Sequence, residues 1–211
     1  GFARYHVSTF IINSAKKYNI PNNRLLDVGA GHQPYKKYFD KCIYESCDNK
    51  EVIEEVKYDI GSVEHTFYSD INISISQVDN SYDLVLCSEV LEHVYNPSTT
   101  IKEINRILKK NGILILTAPQ CSGEHQMPHH YFNYSINGIR YLLENNNFKI
   151  ISLKPSCGIF HLAAHILNKV VNKLFQNKNI IIKIILLPLE LVVRLFNFLI
   201  SILFFYLDVL D

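Results

Sequence analysis

The chain has 211 residues, with 21 lysines and arginines, 20 aspartates and glutamates, a formal net charge of +1 and 48% hydrophobic residues. This length fits one α/β domain with an appendage, and the hydrophobic fraction is enough for a packed core, which excludes a disordered chain. The nearly balanced charge lacks the basic excess of a dedicated nucleic-acid binder, so we expect no nucleic-acid partner.

Short apolar runs alternate with helical patterns over residues 1–158, which contain all eight glycines. The runs predict strands at 25–28, 43–47, 83–87, 113–117 and 148–153, with a weaker strand at 56–58. The patterns between them predict helices at 4–18, 34–39, 99–110 and 135–145, the third of which we expect to end at Asn111 and Gly112. Strands that alternate with helices predict an α/β fold with a mainly parallel sheet and helices on both faces.

Residues 159–211 contain no glycine and follow a helical pattern, so we predict a helical appendage after a first domain of residues 1–158. Residues 161–178 predict an amphipathic helix with a basic polar side. Residues 180–210 are long enough for a membrane span, but Glu190 and Arg194 lie near the middle, so we predict that this helix does not span a bilayer. Its polar residues fall on one narrow stripe: Lys183, Glu190, Arg194, Asn197, Ser201 and Asp208.

A partner must cover the wide apolar side of this last helix. It either packs on the first domain and the preceding helix with only the stripe exposed, joins a homodimer, or lies in a membrane interface. The five cysteines are an odd number without a C-x-x-C pair, which favours reduced thiols, and no secretory signal opens the chain. We therefore expect a cytoplasmic protein, whose appendage either contacts the inner face of the membrane or does not.

The sharpest chemical signal follows the first predicted strand, where Asp27 and Val28 lead into Gly29-Ala30-Gly31. Glycines at such a turn let the backbone approach a ligand closely, and this crevice is the usual ligand site of an open α/β sheet. A dinucleotide would require a third glycine where Pro34 stands, and Asp27 would lie beside its phosphates. S-adenosylmethionine carries cationic ammonium and sulfonium centres and no phosphate, so the pattern favours this cofactor over NAD.

A second acid follows the second predicted strand. Asp48 lies 21 residues after Asp27, and a carboxylate at this place can accept hydrogen bonds from both ribose hydroxyls of a nucleoside. This interpretation fits NAD as well as S-adenosylmethionine. Asp48 followed by Asn49 also fits an ordinary turn.

Four motifs in order resemble the class I S-adenosylmethionine-dependent methyltransferases, most closely the type-11-like branch encoded with bacterial surface-polysaccharide genes. They are residues 27–31, Asp48 with Asp59, residues 81–94 and residues 107–114. The resemblance implies a Rossmann-like sheet whose last strand is missing from this chain. It also implies cofactor-binding roles: Asp27, Gly29, Ala30 and Gly31 at the methionine part, Asp48 and Asn49 at the ribose, Asp59 and Ile60 at the adenine, and Cys87, Ser88 and Glu89 at the methyl side.

The same resemblance implies transfer of a methyl group to an acceptor. A sugar hydroxyl of a glycan, or another small or lipid-linked acceptor, is our first hypothesis. A small molecule such as a quinone precursor is the second, because residues 91–93 also resemble that group. A methyltransferase-like binding module without turnover is an alternative, and an NAD-dependent sugar-nucleotide enzyme is a less favoured one.

Four of the nine histidines are candidate catalytic residues, because an alcohol nucleophile needs a base and histidine is the usual base near neutral pH. His93 follows the strand at 83–87, where it either acts as the base or is a helix-capping or core histidine that shapes the site. His125, His129 and His130 lie in the loop after the strand at 113–117, which usually covers the acceptor. The alternative is an aromatic-packed loop with solvated histidines.

We expect no metal site in this loop. Glu124, His125 and His129 have a spacing that places zinc ligands on one face of a helix. Pro128 lies between the two histidines and argues against a helix there. The sequence therefore predicts that no metal ion is bound.

Overall fold

The computed structural model describes residues 2–55, 63–155, 158–176 and 180–210. The chain divides into two compact units, of which one is Ser8–Lys154 and the other is Gly1–Val7 together with Pro155–Asp211. This division lies close to the one that we predict after residue 158. The sequence gives no sign that the first seven residues group with the helical appendage.

A five-stranded sheet forms the centre of the first unit. Its strands are β1 (Arg24–Val28), β2 (Ile43–Asp48), β3 (Phe67–Tyr68), β4 (Tyr82–Ser88) and β5 (Leu108–Thr117). The strand order is β3-β2-β1-β4-β5, and every neighbouring pair is parallel. The predicted parallel α/β sheet is thus confirmed, and its topology changes direction between β1 and β4, where ligands bind in such sheets.

The helices begin and end where the local sequence allows. They are α1 (Phe2–Tyr18), α2 (Lys50–Glu55), α3 (Pro97–Ile107) and α4 (Ile136–Glu144), with 3₁₀ turns at Lys36–Tyr38 and Leu91–His93. The side chain of Asn96 accepts a hydrogen bond from the amide of Thr99 and so caps the N-terminus of α3. Pro97 follows in the first turn, where a helix tolerates proline because the backbone amides there have no partner within the helix. Ser135 caps α4 in the same way through the amide of Gly138.

The core explains why α3 forms where it does. Ile101, Ile104 and Ile107 recur at helical spacing and are fully buried against the sheet strands, as are Leu26 and Val28 of β1. Burial of these side chains supplies the main driving force for this unit, at about 1.5–3 kcal/mol for each fully buried branched residue.

The predicted helix at 99–110 is too long at its C-terminal end. The chain leaves α3 after Ile107, and Leu108 pairs with Tyr82 as the first residue of β5. A bulge then separates this pair from the pair of Leu84 with Ile113, and Asn111 within it has a φ of 64°. Asn111 and Gly112 therefore serve a strand irregularity, and they do not end the helix as we predicted.

Two further predicted elements differ from the structure. Residues 148–153 form no strand, although Phe148, Ile150 and Leu153 pack against the core. These apolar side chains pack on the core, but their backbone forms no hydrogen bonds with a strand. No strand therefore pairs with the outer side of β5, which is an edge of the described sheet. The predicted helix at 34–39 is only the 3₁₀ turn Lys36–Tyr38, and the weak strand at 56–58 lies outside the described residues.

The second unit contains a pair of packed helices, α5 (Ile159–Phe175) and α6 (Ile180–Leu210). Polar side chains meet between them: Asn197 donates to Asn168 over 2.7 Å, and Arg194 donates to Asn172 over 2.9 Å. Asn197 and Ser201 are buried, with 3% and 4% exposure. Where side chains are described, the polar stripe of α6 is turned toward α5.

The apolar residues of α6 are exposed instead, including Leu191, Val192, Leu195, Phe196 and Leu199. The first of the three arrangements, in which only the stripe is exposed, is therefore wrong, because hydrogen bonds to α5 draw the stripe inward. The side chains of Lys183 and Asp208 lie outside the described ones. Among the described residues, none of the helices combines the length and the hydropathy that a membrane span requires.

Candidate active site

The carboxyl ends of β1, β2 and β4 meet at one edge of the sheet, where the glycine turn begins. Val28 pairs with Cys47 on one side and with Cys87 on the other. The amides of Gly29 and Ala30 donate to the oxygen of Cys47 over 2.9 and 3.2 Å. Gly29 has a φ of 65°, and a Cβ at this residue would lie 2.6 Å from Cγ2 of Val90. The turn therefore requires glycine, and its bare backbone is open to close approach by a ligand.

Asp48 lies beside this turn at the end of β2. One carboxylate oxygen accepts the amide of Gly31 over 2.9 Å, and the other accepts the amide of Asn49 over 2.8 Å. These two bonds fix the carboxylate, and each oxygen keeps a further lone pair for a ribose hydroxyl. The side chain of Asn49 accepts the amide of Glu51, so Asn49 also starts α2.

His65 lies next to Asp48 and is a residue that our sequence analysis missed. Its Nε2 lies 3.9 Å from the carboxylate of Asp48, and its side chain is fully buried. Neither ring nitrogen has a hydrogen-bond partner among the described residues, and burial lowers the pKa of the ring, so the neutral form is favoured. No motif in the sequence marks this residue, because it precedes the two-residue strand β3.

Asp27 is the other acid of the crevice, and it is 3% exposed within β1. The hydroxyl of Tyr44 donates a hydrogen bond to its carboxylate. Burial raises the pKa of Asp27 to about 7, while the bond from Tyr44 opposes this rise and the charge of Asp48 adds to it. An acid with this pKa becomes ionised most readily when a cation binds beside it.

Cys87, Ser88 and Glu89 form the end of β4 on the other side of the turn. The thiol of Cys87 is buried, which raises its pKa, and the hydroxyl of Ser88 lies 3.0 Å from that of Thr117. Glu89 has a φ of 55°, and its amide donates to the backbone oxygen of Thr117 over 3.1 Å. Its side chain is accessible to solvent, yet the surrounding protein partly desolvates the carboxyl group and raises its pKa.

The crevice fits S-adenosylmethionine by the chemistry of its donors and acceptors. Its backbone turn has no side chains at Gly29 and Gly31, and the acids Asp27, Asp48 and Glu89 surround it at the ends of three strands. Carboxylates at these places suit cationic centres and ribose hydroxyls, and they oppose a pyrophosphate. Asp59 and Ile60, which we expect near the adenine, lie outside the described residues.

His93 follows this edge in the 3₁₀ turn Leu91–His93, and the loop after β5 is held against it. The amide of Tyr131 donates to the oxygen of Glu92 over 2.7 Å, and the hydroxyl of Tyr134 donates to the oxygen of Leu91 over 2.9 Å. These bonds bring two histidines of the loop to the ring of His93. The ring centres of His93, His125 and His130, which we call the histidine cluster, lie 4.6–5.7 Å apart in edge-to-face contacts.

Glu92 lies beside this cluster and was not among our candidates. It is 1% exposed, and one of its carboxylate oxygens is 3.8 Å from Nε2 of His93. Its other oxygen, Oε2, has no hydrogen-bond partner among the described residues. Burial and the nearby charge of Glu89 raise the pKa of Glu92 to about 8.

The remaining candidate, His129, lies outside the histidine cluster. Its Nε2 is 2.9 Å from the carboxylate of Glu55 in α2, and its Nδ1 is 3.1 Å from the hydroxyl of Tyr131. No helix forms around Pro128, as we predicted, so His125 and His129 do not share a helix face. The structure thus groups His93, His125 and His130 and separates His129 from them.

The chain is similar to known methyltransferases in sequence pattern and in fold. Residues 3–153 match the family model described as a methyltransferase domain. Three solved structures are similar to this chain. YcgJ of Bacillus subtilis is 18% identical, covers 67% of this chain and 69% of its own length, and has a TM-score of 0.54.

A Bacillus halodurans protein described as a candidate methyltransferase is 17% identical, covers 80% of this chain and 85% of its own length, and has a TM-score of 0.54. A SAM-dependent methyltransferase of Aquifex aeolicus is 18% identical, covers 67% of this chain and 81% of its own length, and has a TM-score of 0.50. No curated protein matches the sequence significantly. At these identities the structural similarities concern the fold, and the family match concerns the domain.

Proposed function

The chain belongs to the methyltransferase domain family, and we propose that it methylates a hydroxyl oxygen of a sugar or of another small or lipid-linked acceptor. Membership and fold make it a class I S-adenosylmethionine-dependent methyltransferase with a Rossmann-like parallel sheet. The NAD-dependent alternative is thereby set aside. The observation that carries the choice of an oxygen acceptor is the group formed by Glu92, His93 and His125 next to the end of β4.

S-adenosylmethionine supplies an electrophilic methyl group on a sulfonium sulfur. In the proposed arrangement, the backbone of Gly29–Gly31 binds the methionine part and the carboxylate of Asp27 attracts its ammonium group. Asp48 accepts the ribose hydroxyls with its remaining lone pairs. Ser88 and Glu89 line the methyl side at the switch of the sheet between β1 and β4.

An alcohol is a poor nucleophile, so an oxygen acceptor requires a group that removes or polarises its proton. The histidine cluster supplies such groups near the end of β4. The charge of His125 lowers the pKa of Glu89, and this proximity supports a role for the cluster at the proposed methyl side. Burial lowers the pKa of His93, so its imidazole is neutral near pH 7 and able to act on a hydroxyl.

Exposed aromatic rings near Glu92 support a sugar acceptor. Tyr95 and Tyr131 are 55% and 41% exposed, and their ring centres lie 6.1 Å apart in an edge-to-face contact. Phe132 is 38% exposed next to them in the chain. Aromatic faces of this kind pack against the apolar face of a sugar ring, while polar neighbours orient its hydroxyls.

A methyl-transfer assay tests the proposal. The chain would be incubated with radiolabelled S-adenosylmethionine and fractionated cell-envelope extract, and label is expected in a glycan or glycolipid fraction. The variant Tyr131→Ala should reduce this transfer while it leaves the affinity for S-adenosylhomocysteine unchanged, because Tyr131 lies outside the cofactor crevice. Binding of the cofactor without transfer to any fraction would instead indicate a binding module, and label in a quinone precursor would exclude the glycan acceptor.

We also propose that the helical unit contacts a membrane interface. Leu195 and Phe196 of α6 are 60% and 65% exposed, and Lys169 and Lys173 of α5 are exposed as well. Exposed large apolar residues on one helix and exposed lysines on the helix packed against it suit an anionic bilayer surface, where a lipid-linked acceptor would be found.

Flotation with vesicles that contain anionic lipid tests this contact. The intact chain should float with the vesicles, and Leu195→Glu with Phe196→Glu should stay in the dense fraction. If the intact chain stays behind and light scattering shows a dimer that these substitutions dissociate, a second copy covers the surface instead.

A further inference from the structure

Two imidazoles beside the buried carboxyl group of Glu92 share one hydrogen-bond arrangement. Nδ1 of His93 contacts the backbone oxygen of His129, and Nδ1 of His125 lies 2.9 Å from the backbone oxygen of Gly123. Because a carbonyl oxygen only accepts, each Nδ1 carries the hydrogen and each Nε2 keeps its lone pair. Nε2 of His93 lies 3.8 Å from Oε1 of Glu92, which is too far for a hydrogen bond. Backbone carbonyls orient metal-binding histidines in this way.

Glu92 provides the second observation. A buried polar atom without a partner costs free energy, and Oε2 of Glu92 is such an atom in a side chain that is 1% exposed. Oε1 of the same carboxyl group lies 3.8 Å from Nε2 of His93. Oε2 has no partner among the described residues, and a bound cation would satisfy it.

We propose that Glu92, His93 and His125 bind a divalent transition-metal ion. One potential ligand atom from each residue lies within 4.8 Å of the other two. A tetrahedral ion with bonds of about 2.0–2.1 Å needs ligand atoms roughly 3.3 Å apart, so movements of about 1 Å in the side chains complete the set. Three protein ligands leave a position open, which is the arrangement of catalytic rather than structural metal sites.

The ligand types indicate which ions bind. Two imidazoles with one carboxylate suit zinc, iron and manganese, whereas magnesium prefers oxygen ligands and keeps several waters. Affinity at a given site of this kind rises from manganese to zinc. We therefore expect zinc to bind more tightly than manganese, and magnesium to bind weakly.

This site replaces our expectation that no metal ion is bound. That expectation considered His125 with His129, which the structure separates. The ligands come from two segments instead, the 3₁₀ turn after β4 and the loop after β5. The bond from Tyr131 to Glu92 brings these segments together.

The role of the ion rests on the proposed function. An acceptor hydroxyl at the open position would be polarised by the ion, which lowers the pKa of the hydroxyl and releases its proton to solvent. His93 and His125 would then be ligands of the ion and would not act as bases. Binding of the ion itself does not depend on the identity of the acceptor.

Calorimetric titration of the metal-free full-length chain with zinc chloride, manganese chloride and magnesium chloride tests the inference. We expect one zinc ion per chain. Glu92→Gln and His125→Asn should each weaken zinc binding by about tenfold or more, since each removes a ligand. His129→Asn is the matched control from the same loop and should change zinc affinity less than twofold, because its ring pairs with Glu55 and not with the cluster.

Titration with S-adenosylhomocysteine in the same preparations separates this inference from the proposed function. All three variants should bind it as the unmodified chain does, which also shows that they are folded. Unmodified chain that binds S-adenosylhomocysteine but no zinc would overturn the metal site alone. Zinc binding that Glu92→Gln and His125→Asn leave unchanged would also overturn it, and failure to bind S-adenosylhomocysteine would contradict the proposed function.

Discussion

At the scale of single residues, Asp27 makes the affinity of the crevice for its ligand dependent on pH. Its carboxyl group is protonated below a pKa of about 7 and ionised above it, and a ligand with an ammonium group favours the ionised form. We predict that the affinity for S-adenosylhomocysteine rises roughly tenfold between pH 6 and pH 8, because the ionised fraction rises by that factor around a pKa of 7. Calorimetry at several pH values measures this change.

Asp27→Asn is the matched variant for this prediction, because its amide oxygen can still accept the bond from Tyr44. The variant should bind more weakly than the unmodified chain at pH 8, and its affinity should vary much less with pH. Equal pH dependence in both proteins would show that another group titrates, and Asp27 would then lose its assigned role.

Gly29 combines two constraints that no other residue type satisfies. Its φ is positive, and a Cβ would lie 2.6 Å from a methyl carbon of Val90. We predict that Gly29→Ala lowers the free energy of unfolding by about 1–3 kcal/mol, as measured by denaturant titration. Gly138→Ala is the control, since its Cβ would meet only the hydroxyl of Ser135 at 3.3 Å and should cost far less.

At the scale of elements, Arg106 ties α3 to the segment that leads into β4. Its guanidinium donates to the carboxylates of Glu103 and Asp79 and to the backbone oxygens of Ile75 and Gln77, over 2.7–2.9 Å. A lysine cannot reproduce this set of bonds. We predict that Arg106→Lys lowers the free energy of unfolding by about 1–3 kcal/mol.

Arg140→Lys provides the comparison for Arg106→Lys on another helix. Arg140 is an exposed residue whose only ion pair among the described residues is with Glu144, at 3.9 Å, so its replacement should cost less than about 0.5 kcal/mol in the same denaturation experiment. An equal cost for both substitutions would contradict the role of Arg106 in joining the elements.

The bounds of the strands and helices could be predicted from the sequence only in part. Apolar runs bounded by turns predict β1 and β4 to within one residue, because central parallel strands are apolar on both faces. The bounds of β2 are predicted equally well, although only Ser46 and Cys47 of this strand are buried. The predicted end of α3 was wrong, because Leu108 pairs with Tyr82 in the sheet and does not continue the helix. This pairing is between residues far apart in the chain, so no local sequence pattern indicates it. The strand predicted at 148–153 was wrong for a related reason. Alternating apolar side chains occur in segments that pack against the core as well as in strands that pair within a sheet.

The candidate site was only partly predictable for a similar reason. The glycine turn and Asp48 follow strands directly, so their place at the sheet edge follows from the parallel topology. Glu92 and His65 become notable only when burial and missing partners are seen, and neither property is visible in a sequence. The contact of His125 with His93 depends on how the loop after β5 folds back onto the turn after β4.

At the scale of the whole molecule, the site consists of short segments that are far apart in the chain. Residues after β1, β2, β4 and β5 contribute to it, and the parallel sheet brings the first three to one edge. Each segment alone is common among α/β proteins, so function follows from their combination. The helical unit, with its polar side chains between α5 and α6 and apolar ones exposed, adds a surface that the methyl-transfer chemistry does not require.

The most direct test of the cofactor assignment is calorimetric titration of the full-length chain with S-adenosylhomocysteine, in parallel with Asp48→Ala and Asp40→Ala. Asp48 holds the glycine turn and offers lone pairs to the ribose, so its loss should weaken binding by about 1–3 kcal/mol. Asp40 pairs with Asn19 away from the crevice, and its replacement should leave the affinity unchanged. We predict one site per chain and this difference between the two variants. Binding of NAD without binding of S-adenosylhomocysteine, or equal affinity in both variants, would contradict the cofactor assignment.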